Sequence, residues 1–169
     1  MLSLHAVLLT ASLAADLRVG AFEVDEPWGA VEDRHAAAVD VALRRVPILF
    51  RALVRPRLTS AVWSCDGWAT EVDARQVSLQ CRGRAPLVVP TDGSPVDLQL
   101  EDGRTVEFRA LATANTLELN AVGRHGAQHS LWRVDGNDHL VVERTIQSRW
   151  LPDDVTWAVR YRRVPTATP

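Results

Sequence analysis

The feature that most constrains this chain is a train of turn signals at steps of about ten residues. Asp92-Gly93, Asp102-Gly103, Thr113-Ala114-Asn115, His125-Gly126 and Asp135-Gly136 punctuate runs in which apolar and polar residues alternate. Asp-Gly suits a hairpin turn because both residues tolerate positive φ. The runs between the turns span residues 96–100, 105–111, 116–122, 128–134, 139–150 and 155–163. Runs around 61–72 and 77–82 bring the total to about eight strands, and Leu87-Val88-Val89 is a candidate ninth.

Alternation assigns faces, because neighbouring side chains on a strand point to opposite sides. Val96, Leu98 and Leu100 oppose Asp97, Gln99 and Glu101, and Val106, Phe108 and Ala110 oppose Thr105, Glu107 and Arg109. Leu140, Val142, Arg144, Ile146 and Ser148 share one side of the next long strand; Val155, Trp157, Val159 and Tyr161 share one side of the last. A one-sided apolar pattern marks an antiparallel sheet with one solvated face, and closing that sheet removes its exposed edges. The expected fold is therefore mainly β: an antiparallel meander of about eight strands closed into a barrel, preceded by one or two α-helices. A sandwich is the alternative.

Ahead of the strands the period is that of a helix. Asp25-Glu26-Pro27 reads as a helix start, with Asp25 as N-cap. Val31, His35, Ala38, Val39, Ala42, Leu43 and Val46 then form one apolar stripe. Pro47 restarts the chain, and Ile48 to Val54 reads as a short second helix stopped by Pro56, with Arg51, Arg55 and Arg57 on its wet side. The expected organisation is an apolar N-terminal segment over 1–15, a helical segment over 16–58, a barrel over 59–164 and a disordered tail over 165–169.

The apolar start ends in Ser12-Leu13-Ala14, a small-x-small cleavage pattern. It reads either as a signal peptide or as a buried first element. Cys65 and Cys81 lie symmetrically about Asp73, so a hairpin turning there sets them opposite each other as a disulfide candidate. The expected location is periplasmic or secreted, where disulfides persist.

All 19 basic residues are arginine and the net charge is −2, which gives no reason to expect a nucleic-acid partner. No nucleophile elbow, phosphate loop or zinc-protease motif occurs, so no catalytic residue, cofactor or metal is assigned, and an enzyme is disfavoured. His125, His129 and His139 read as solvated loop residues.

The strand rhythm resembles the calycin architecture of lipocalins and fatty-acid-binding proteins, over about 105 residues. Gly67-Trp68 lacks the spacer of the lipocalin Gly-x-Trp. The Arg-x-Tyr pair of fatty-acid-binding proteins is reversed here as Tyr161-x-Arg163. The helices are also expected to precede the barrel rather than follow its first strand. What the resemblance implies is a small lipid, including a carboxylate-bearing one, held inside the barrel.

Arg144 is the residue of most interest, because its alternation places a cation among apolar neighbours. It reads either as a ligand-carboxylate anchor with Tyr161 and Arg163, or as half of an internal salt bridge, or as a strand-end arginine reaching water. Trp132, Trp157, Phe108, Val142 and Ile146 are candidate pocket walls, or simply barrel filling. The expected function is an exported, non-enzymatic barrel that binds a small apolar or amphipathic ligand. The alternative is a cell-envelope interaction module with a solid core, docking a partner or a membrane through its helices.

Overall fold

The computed structural model describes residues 19–60, 65–99, 103–113, 116–136 and 139–165. The expected signal segment over 1–15 and most of the expected tail lie outside the described residues. Ten strands form one antiparallel sheet: β1 (Val19–Val24), β2 (Gly67–Val72), β3 (Gln76–Cys81), β4 (Leu87–Pro90), β5 (Val96–Gln99), β6 (Thr105–Ala112), β7 (Thr116–Gly123), β8 (Gly126–Asp135), β9 (His139–Ser148) and β10 (Val155–Val164). Two helices, α1 (Trp28–Leu43) and α2 (Ile48–Ser60), stand between β1 and β2.

The mainly β barrel is borne out, with ten strands where about eight were expected. Leu87-Val88-Val89 is a true strand. β1 is new, and it comes ahead of the helices. It pairs with both β2 and β10, so the first and last strands meet and the meander turns back on itself. Its support is wholly long-range, which is why six residues with a glycine among them gave no local signal.

Closure at the other seam falls on Thr91. Its N–H donates to the carbonyl of Arg75 beside β3, and its carbonyl accepts from Ala112 of β6. Gly93, at φ 84°, then donates to the carbonyl of Ala110, and Asp92 bridges Leu111. Asp92-Gly93 is therefore a corner where one strand leaves β3 and joins β6, and not the hairpin turn its sequence suggests. Backbone groups that an edge would leave unpaired are satisfied there.

The first hairpin is offset by three residues from the expected register. Val72 faces Val77 and Trp68 faces Cys81, whereas symmetry about Asp73 set Gly67 opposite Leu79. The cause is the Asp73 carboxylate, which accepts from the backbone N–H groups of Arg75 and Gln76 and holds the loop at Ala74-Arg75. An odd shift changes the inward set, so Trp68, Thr70 and Val72 face the core. Cys65 lies before β2, and it still reaches Cys81 in a disulfide with Cα atoms 5.8 Å apart.

The helices also differ in detail. Pro27 occupies the N-cap position of α1, while Asp25 lies 3.4 Å from His139 and Glu26 pairs with Arg34. Val31, Val39, Ala42, Leu43 and Val46 are buried, as the sequence periodicity requires. Pro56 sits inside α2 rather than ending it. Arg51 turns inward: its Nε donates to the carbonyl of Val46 and its Nη2 to that of Arg44, satisfying carbonyls at the end of α1. Arg55 pairs with Asp40 of α1 at 2.9 Å.

Candidate functional site

The inward faces of β9 and β10 agree with the alternation. Leu140, Val142, Arg144 and Ile146 are buried on β9, and Val155, Trp157, Val159 and Tyr161 on β10. Register joins them into rows: Ser130 faces Arg144, which faces Trp157, and Trp132 faces Val142, which faces Val159. Tyr161 stands opposite Leu140. Of the sequence candidates, these rows unite Arg144, Trp132, Val142, Ile146, Trp157 and Tyr161. Phe108 is buried on β6, three strands from β9 in the sheet. Arg163 lies at the margin, half-buried, with its guanidinium carbon 5.0 Å from the ring centroid of Phe22.

At the centre is the hydroxyl of Tyr161, which donates to the carbonyl of Cys65 at 3.0 Å. Burial pushes its phenol above the usual range, while Arg144 and the Trp68 indole act in the opposite direction. Tyr161 is neutral near pH 7. Burial pushes the Arg144 guanidinium down, and the Tyr161 oxygen pulls it back up. The guanidinium carbon lies 5.9 Å from the ring centroid of Trp68, and that ring meets Trp132 edge-on at 5.1 Å. A cation over an indole face in an apolar enclosure gains from the ring quadrupole.

The interior is filled by side chains. Tyr161, Leu140 and Val142 are 0% exposed, and Trp132 and Arg144 are 1% exposed. A void that held even one water would leave accessible surface on the groups lining it. A ligand at Arg144 therefore has to displace packed side chains.

Helix α1 covers this region. The His35 ring lies 4.5 Å from that of Trp157, and its buried Nε2 has no hydrogen-bond partner among the described residues. Burial, and then the charge of Arg144, holds His35 below the usual histidine pKa. Its role was not legible in sequence beyond its place on the apolar stripe of the helix. Trp68 was likewise hidden, because its direction depends on the hairpin register. Trp150, another aromatic, lies half-exposed outside the barrel beside Arg149. His125 contacts Arg149, His129 faces Glu118 and His139 faces Asp25.

No protein-family model and no curated protein matches this sequence. Solved structures do. The "REP1-NXSQ fatty acid transporter" superposes with TM-score 0.52 at 16% identity, over 90% of this chain and 99% of that one. A fatty-acid-binding protein from brain tissue of Drosophila melanogaster gives 0.50 at 13%, over 88% and 99%. One isolated from Manduca sexta gives 0.50 at 18%, over 88% and 99%. Identities this low speak for the fold, and the position of the helices after the first strand removes the topological difference expected from sequence. The chain has the architecture of the calycin barrels of fatty-acid-binding type.

Proposed function

We propose that the protein is a non-enzymatic carrier of a small anionic amphipathic molecule, with the anionic end held at Arg144 and Tyr161. The observation that carries this reading is the placement of a guanidinium beside a neutral phenol inside an apolar barrel. A guanidinium's planar fork matches a carboxylate, and the bond strengthens out of water. His35 adds a second nitrogen at the same end, and the walls are Trp132, Trp157, Val142 and Ile146. Entry requires α1 to lift and the packing to part, so the ligand is small or the barrel yields. The names of the structural neighbours support a lipid as the class. Export to the periplasm or outside the cell belongs to the same proposal, and the Cys65–Cys81 disulfide supports it.

The test is titration of the folded, oxidised protein with dodecanoate, followed by native mass spectrometry and tryptophan fluorescence. One-to-one binding is expected, with weaker binding of dodecanol. If neither binds, the carrier reading fails. The second reading, an interaction module with a solid core, then stands. Its supporting observation is the near-zero exposure around Arg144.

A further inference from the structure

The Cys65–Cys81 disulfide stands between the solvent and the barrel interior. Both half-cystines line an open cleft of about 370 Å³, together with Trp28, Asp66, Arg82 and Arg84. Cys81 ends β3, next to the exposed turn Arg82-Gly83-Arg84. Arg82 is paired with Glu23, while Arg84 has no ion pair among the described residues. A guanidinium nearby favours the thiolate form of a sulfur, and thiolates are the attacking and leaving species of disulfide exchange. Exchange also needs access to one sulfur, which the cleft supplies. On the inner side, Cys65 lies outside the strand ladder, held to Cys81 by the disulfide and to Tyr161 through its carbonyl. Its Sγ lies 2.7 Å from the carbonyl oxygen of Gly67, which accepts from the thiol once that forms.

We propose that this disulfide is an exchange site, which a dithiol reduces in the folded protein, and that its reduction loosens the interior through the Tyr161–Cys65 hydrogen bond. One thiolate of the dithiol attacks Cys81 Sγ, forms a mixed disulfide and releases Cys65 as a thiolate that takes up a proton. The second thiolate attacks the dithiol's own sulfur in that mixed disulfide and releases Cys81, which is protonated in turn. The dithiol ends as a disulfide, and two electrons and two protons have passed to this chain. Cys65 is then no longer tied to β3, so the acceptor of the Tyr161 hydroxyl loses its fixed place beside Arg144. A weaker grip on an anion is the consequence for binding, and that part rests on the carrier reading.

The experiment treats the folded, oxidised protein with dithiothreitol and, in parallel, with reduced thioredoxin, and then alkylates it without denaturant. Tyr161 is the chain's one tyrosine, so labelling tyrosine Cζ gives a single NMR signal that reports its hydrogen bonding. Expected are alkylation of both cysteines by at least one reductant, retained circular dichroism, a shifted Cζ signal and an affinity for dodecanoate lowered roughly tenfold. Cys65→Ala/Cys81→Ala reproduces the shift without any reductant. Alkylation only in denaturant, unfolding on reduction, or a reduced protein with an unmoved Cζ signal would each overturn the proposal. If dodecanoate binds neither redox form, the carrier reading fails, while alkylation and the Cζ signal still decide this one.

Discussion

The hydroxyl of Tyr161 on the last strand donates to the backbone carbonyl of Cys65, the residue that carries the disulfide into the first hairpin. One side chain thus ties the barrel interior to the point where the chain returns from the helices. Both partners are buried, so a lost bond leaves the Cys65 carbonyl without its donor in a low-dielectric interior.

Tyr161→Phe keeps the ring and removes the hydroxyl, which donates to Cys65 and accepts from Arg144 and Trp68. It is expected to destabilise the fold by about 1–3 kcal/mol, read as a lower urea midpoint with an unchanged slope. An unchanged midpoint would mean that the hydroxyl contributes nothing there.

The disulfide closes a loop of 16 residues in the unfolded chain. Replacing both cysteines by alanine, or reducing the bond, is expected to cost about 3 kcal/mol. The β2–β3 register, fixed by Asp73, is expected to survive, with amide exchange across Val72 and Val77 still slow. Equal midpoints for oxidised and reduced protein would contradict this.

These two features also show what sequence could and could not supply. Alternation places Arg144, Tyr161 and Trp157 on the apolar face, because on a long regular strand side-chain direction follows from parity alone. The hairpin register was missed because one carboxylate, Asp73, moves the turn by a fraction of a strand, and parity converts that shift into a change of face for Trp68. β1 was missed because its partners, β2 and β10, are far away along the chain. On α2, Arg55 and Arg57 are exposed as the wet-side reading requires, and Arg51 departs from it. Arg51 turns back onto the end of α1 and leaves its apolar neighbours outside.

His35 gives a pH dependence with a defined sign. The folded protein holds His35 below its ordinary value of 6.5, through burial first and Arg144 second. The unfolded chain therefore binds the proton more readily. The contribution is full above 6.5 and is lost as pH falls through that value towards the folded-state pKa. The difference in urea midpoint between the wild type and His35→Phe is expected to change in the variant's favour between about pH 7.5 and 5. A difference that is constant with pH would remove His35 from the account.

The central claim is that Arg144 stands in the barrel as an anion anchor, and Arg144→Met tests it most directly. Methionine fills similar space without charge, and the desolvation cost it removes offsets the lost contacts of the guanidinium with Tyr161 and Trp68. The predicted result is a folded protein of equal or greater stability whose affinity for dodecanoate falls roughly ten- to a hundredfold, while that for dodecanol is unchanged. A variant that binds dodecanoate as tightly as the wild type would contradict the claim.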